Sequence, residues 1–158
     1  MVYNVGMKRC LLLGLCGLLG CTDGGEPLMG DVTIHYGSST PKLDVGAAIQ
    51  KADAPDVMLV QLGTDSVDCG TNLDDFSFDG PAGTFVYFSV DKVPGVHASA
   101  SVNAMKVTGN SISINSTSGM VTITAVEPRV TGTIMFTTTD QEVGEIAVTG
   151  SFDVKRCF

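Results

Sequence analysis

The chain has no tryptophan and only two histidines, His35 and His97, in 158 residues. Neither His-x-His nor His-x₃-His spacing occurs, so the pattern of a histidine-built transition-metal centre is missing. Basic residues are also scarce. Nine Lys and Arg stand against seventeen Asp and Glu, a formal net charge of −8. That sign argues against nucleic acid as a partner and against electrostatic binding to an anionic membrane surface. Gly-x-Ser-x-Gly is missing, as is any Gly-rich phosphate loop, so neither a nucleophile elbow nor a nucleotide cradle is legible. Asp74 and Asp75 are adjacent, which points two carboxylates differently on an extended chain rather than at one substrate. No catalytic residue is assigned, and the chain is expected not to be an enzyme.

A long apolar run is lacking too. The stretch from Cys10 to Gly20 is eleven residues, about 16 Å as a helix, whereas a membrane span needs roughly 20 residues. Lys8 and Arg9 precede it, and small and polar residues follow it. A basic start, a short apolar centre and a small residue at the exit have the form of an export signal. Leucines and glycines are interspersed without a polar face, so a buried amphipathic helix does not fit.

The exit Leu18-Leu19-Gly20-Cys21 resembles the lipobox of bacterial lipoproteins. The resemblance implies that the Cys21 thiol receives a diacylglyceryl group and that a peptidase cuts before it. Two or three acyl chains, at about 0.8 kcal/mol per buried CH₂, anchor stably where one chain is marginal. Residues 1–20 are then a signal peptide, with Met7 an alternative start because Met1–Gly6 adds nothing to the basic region. Residues 21–29, rich in Gly, Pro and acid, read as a flexible tether, and 30–158 as a single domain. Thr22 stands where some lipoproteins carry an acidic residue that retains them in the inner membrane. The expected location is therefore the cell envelope, with the outer membrane ahead of the inner. The expected partners are the membrane, through the acyl chains, and an envelope protein or glycan.

Cysteine usage follows from this. Cys10 and Cys16 leave with the signal and Cys21 is committed to lipid, which leaves Cys69 and Cys157. An exported chain with two remaining cysteines predicts one disulfide. Closing a loop that long removes about 4–5 kcal/mol of entropy from the unfolded chain in the loop-closure model.

The rest alternates apolar and polar residues with period two. Strands are expected at Asp31–Tyr36, Leu43–Gln50, Val57–Leu62 and Gly83–Val90, the last apolar on both faces and so central. "VHASASVNAMKV" places Val96, Ala98, Ala100, Val102 and Ala104 on one face. "SISIN", "MVTITAVE", "VTGTIMF" and "EIAVTGSFDVKRC" continue the pattern. The expected fold is all-β, an antiparallel β-sandwich of about eight strands, with a closed β-barrel as the alternative. A transmembrane barrel does not fit, because outward positions are Thr, Ser, Glu and Asp and aromatics number only ten. "Val-Thr-Gly" occurs at 107–109, 130–132 and 148–150 with unequal spacing, which reads as strand vocabulary, the glycines marking turns, bulges or close aromatic contacts. Asn115-Ser116-Thr117 matches a glycosylation acceptor, an accidental match in a bacterial lipoprotein.

The best site candidate is the connection Gly63–Gly83. It carries Asp65, Asp68, Asp74, Asp75 and Asp79, and loops of this length are usually functional or held by something such as a disulfide. Oxygen-rich loops of exported modules can bind Ca²⁺, although the spacing is not that of an EF-hand. Clustered Asp is also what turn chemistry produces unaided. The leading expectation is thus a non-catalytic binding or structural module without a cofactor. A calcium- or other metal-dependent module at Asp65–Asp79 is the alternative, and an enzyme whose site is invisible in sequence the second.

Overall fold

The computed structural model describes residues 25–75, 82–109 and 111–158. The region assigned to the signal peptide, with Cys21, lies outside the described residues. Nine strands follow in chain order: β1 (Met29–Gly30), β2 (Thr33–Tyr36), β3 (Val45–Lys51), β4 (Ala54–Gly63), β5 (Gly83–Asp91), β6 (Gly95–Thr108), β7 (Ser111–Ala125), β8 (Arg129–Asp140) and β9 (Gly144–Arg156). One 3₁₀ turn, Leu73–Asp75, is the only helical element among the described residues.

From β3 to β9 each strand after the first pairs antiparallel with its predecessor. The other edge of β9 is taken by β2, β1 and β3 in turn. The β3 contact is parallel, through Ala47 opposite Lys155 and Ala48 opposite Arg156. The all-β, sandwich-like expectation therefore holds with nine strands, but the sheet is mixed rather than purely antiparallel. Pairing also runs in a closed circuit through β9, so the layers belong to one sheet. The parallel contact exists because β9 runs past β1 and β2 and meets the start of β3 travelling the same way.

Apart from shifts of a few residues at strand ends, three features differ from expectation. "SISIN" and "MVTITAVE" form one fifteen-residue strand, β7, since the intervening Ser and Thr residues continue the pairing with β6. In β6 a bulge between His97 and Ala100 shifts the register. Val96 and Ala98 are exposed as a result, while Ala100, Val102 and Ala104 stay inside. The tether does not extend to Met29. The Glu26 amide donates to the Val67 carbonyl, Pro27 bridges to Val45, and the Leu28 amide donates to the Asp44 carbonyl. Backbone groups with sheet partners within reach take them, whatever the flexibility of the composition.

The three Val-Thr-Gly glycines do three local jobs. Gly109 takes φ +56° in the β6–β7 turn, and Gly150 takes φ +129° against the Asp31 carbonyl, where any Cβ would collide. Gly132 leaves room for the Phe152 ring.

Two apolar clusters form, one on each face of the sheet. The interior joins Ile34, Val60, Phe88, Val102, Ile123, Ile134, Val148 and Phe152, with the Phe88 and Phe152 rings edge to face at 5.5 Å. Burying each such side chain contributes about 1.5–3 kcal/mol. The second cluster lies on the opposite face of β3–β6. Ala47, Leu59, Phe85, Tyr87, Met105 and Val107 pack there against Val67 and Leu73. The last two come from the acidic connection, which is thus a cover for the sheet.

Candidate functional site

The cover is built from one polar residue in an apolar strand. Gln61 of β4 is completely buried, and its side chain faces the connection. Its amide Nε2 donates to the Thr71 carbonyl at 2.9 Å, and its Oε1 accepts from the Leu73 amide at 2.7 Å. Both ends of one side chain therefore replace the backbone partners that the connection lacks. Val67 and Leu73 are driven down on either side of this clamp, both at most 2 % exposed.

Short-range turn chemistry shapes what lies between. Asp68 Oδ1 accepts from the Gly70 amide at 2.7 Å and from the Thr71 hydroxyl at 3.1 Å. Asn72 Oδ1 accepts from the Asp74 amide at 3.2 Å. These are Asx-type bonds, the reason Asp and Asn crowd such segments. Cys69 is bonded to Cys157 with the Cα atoms 5.5 Å apart, and the Cys157 amide donates to the Ala48 carbonyl. The predicted disulfide is therefore present, and it ties the cover to the residue that follows β9.

Beside the 3₁₀ turn the connection meets the β3–β4 hairpin. Lys51 Nζ lies 3.0 Å from Asp74 Oδ2, at the edge of an open cleft of about 470 Å³ that also includes Asp53, Leu59 and Asn72. The hydrogen bond to Asp74, and then its charge, raise the Lys51 pKa above the ordinary lysine value. Lys51 is thus held as a cation beside the Asp74 carboxylate. Tyr87 beneath is 6 % exposed. Burial first, and the Asp74 carboxylate second, push its phenol above the usual tyrosine range. The cleft therefore offers an ion pair, Lys51 with Asp74, while the Tyr87 phenol stays buried.

The structure does not gather the aspartates chosen from sequence. Asp65 is exposed at the start of the connection, Asp68 is used inside its own turn, and Asp74 faces Lys51. Asp79 and the side chain of Asp75 lie outside the described residues. Among the described residues no group of three or more His, Cys, Asp or Glu could hold a metal ion. His35 is exposed on β2. His97 is half-buried at the β6 bulge, beside a shallow cleft with Ser89, Asp91 and Ser99. Gln61, Lys51 and Tyr87 were not singled out from sequence. Only Gln61 carried a signal, as the one polar residue within "VMLVQLG". No protein-family model, curated protein or solved structure matches the chain.

Proposed function

We propose that the chain is a lipid-anchored protein of the cell envelope, with its β domain serving as a non-catalytic binding or structural module. The observation that carries this reading is the Cys69–Cys157 disulfide. A disulfide built into the packing of a small domain belongs to an oxidising, exported compartment. The pairing also leaves Cys21, directly behind Leu18-Leu19-Gly20, as the cysteine to acylate. The acidic connection supports a module over an enzyme, since Asp68 and Asn72 serve its own turns and Lys51 is held charged by Asp74. The outer membrane is the proposed site, on the identity of Thr22.

Intact-mass analysis of the protein from its membrane fraction tests this. The mature chain is expected to begin at Cys21 and to carry two or three acyl chains. Cys21→Ser is expected to accumulate as an unprocessed precursor. A wild-type chain without acyl mass would overturn the anchor.

A further inference from the structure

We propose that the domain rides on the bilayer in a fixed orientation, with the first half of the acidic connection, Thr64–Gly70, against a zwitterionic lipid surface and the β5–β6 turn directed away. This rests on the Cys21 anchor proposed above. Only residues 22–24 separate Cys21 from Gly25. Four residue steps span at most about 14 Å even when fully extended. The domain is therefore held close, and where the chain enters it decides which side faces the lipid.

That entry point is firmly placed. Gly25 lies so close to the Val67 backbone that an added Cβ would come within 2.2 Å of its carbonyl oxygen. The Glu26 amide donates to that same carbonyl at 2.9 Å, and the Glu26 carbonyl accepts from the Gly46 amide at 2.8 Å. Lys155 Nζ adds an ion pair to Glu26 at 2.6 Å. The acyl chains are thus leashed beside Val67, at the centre of the proposed face.

The opposite tip is out of reach. The Thr64 amide bonds to the Thr84 carbonyl, so β5 sets out next to the connection. It runs seven residues on to Asp91, about 23 Å at strand rise. The turn beyond carries Val93, 57 % exposed, and Val96 follows at 65 %. A leash of about 14 Å is shorter than this 23 Å body, so the domain cannot stand on that tip with the entry point uppermost. Charge selects the lipid. Asp65 and Asp68 are exposed on the near side, and within a Debye length of about 8–10 Å they oppose anionic headgroups.

The test uses the full acylated chain in phosphatidylethanolamine vesicles containing a nickel-chelating lipid. A nitroxide is coupled to an azide-bearing phenylalanine placed at Asp65 or at Val93, which leaves both structural cysteines untouched. Nickel is expected to broaden the position-65 spectrum strongly and to leave position 93 nearly unchanged. Inserting about ten Gly and Ser residues after Thr22, an added reach of roughly 16–19 Å on average, is expected to erase that contrast. Equal broadening at both positions in an acylated native-length chain, or stronger broadening at 93, would overturn the orientation. Mass analysis of the same samples tells that result apart from a missing anchor, which would overturn both proposals.

Discussion

The outer face of β3–β6 and the outer face of β7–β9 belong to one sheet yet live in different environments. On the first, Leu59, Phe85, Tyr87 and Met105 are buried under Val67 and Leu73. On the second, Thr133, Met135 and Thr137 of β8 alternate outward and are exposed, while Ile134 and Phe136 between them are buried. A sheet needs apolar residues on a face only where something covers it, and the strand composition follows the cover. Central strands such as β5 are apolar on both sides because the connection before them, some sixty residues ahead of β9, has been folded down and fastened over them.

The contrast can be broken from the covered side. Replacing Cys69 and Cys157 by Ser is expected to destabilise the domain by about 2–5 kcal/mol, read as a lower melting temperature in denaturation. The same experiment should expose the 64–75 segment to proteolysis before the rest of the chain. Gln61→Leu keeps the volume but leaves the Thr71 carbonyl and the Leu73 amide without their partner. A loss of about 1–3 kcal/mol is expected by denaturant titration, and a neutral result would show that the clamp is dispensable. Met135→Thr on the bare face is expected to shift stability by no more than about 0.5 kcal/mol in the same assay.

The ion pair at the cleft sharpens the comparison at its margin. Lys51 and Asp74 are each about one-third exposed, so Asp74→Asn is expected to cost no more than about 1 kcal/mol. Its distinctive effect is on titration. Lys51 and Tyr87 both have pKa values raised in the folded state. Their contribution is complete below the unfolded values, about 10 for tyrosine and 10.4 for lysine, and fades as pH rises through the raised ones. Stability is thus expected to decline above about pH 10. In Asp74→Asn, with one cause of the Tyr87 shift removed, phenolate absorbance should appear at lower pH than in the wild type.

Much of this architecture could be read from residues. Period-two alternation placed β8 and β9 well, because one face of each is buried, and a run apolar on both faces placed β5. The disulfide followed from counting cysteines. The bulge at His97 was not legible, since "VHASAS" alternates perfectly and only its partner strand forces the slip. Nor was the parallel contact of Ala47 and Ala48 with β9, a pairing between segments more than a hundred residues apart. At the site, a string of aspartates drew the eye to cation chemistry. The residues that organise the segment are instead Val67, Leu73 and Gln61, whose meaning depends on a sheet face the local sequence does not contain.

β9 has a temporal consequence. It pairs with β8 on one edge and with β2, β1 and β3 on the other, and the next residue after it is Cys157. The strand that closes the ring and the Cys157 end of the disulfide that latches the cover are therefore both encoded between residues 144 and 157. A chain delivered across a membrane from its N-terminal side would present eight strands and the Cys69 thiol before its keystone arrived. Closure of the ring waits on that last strand, and until it arrives Cys69 has no Cys157 to bond.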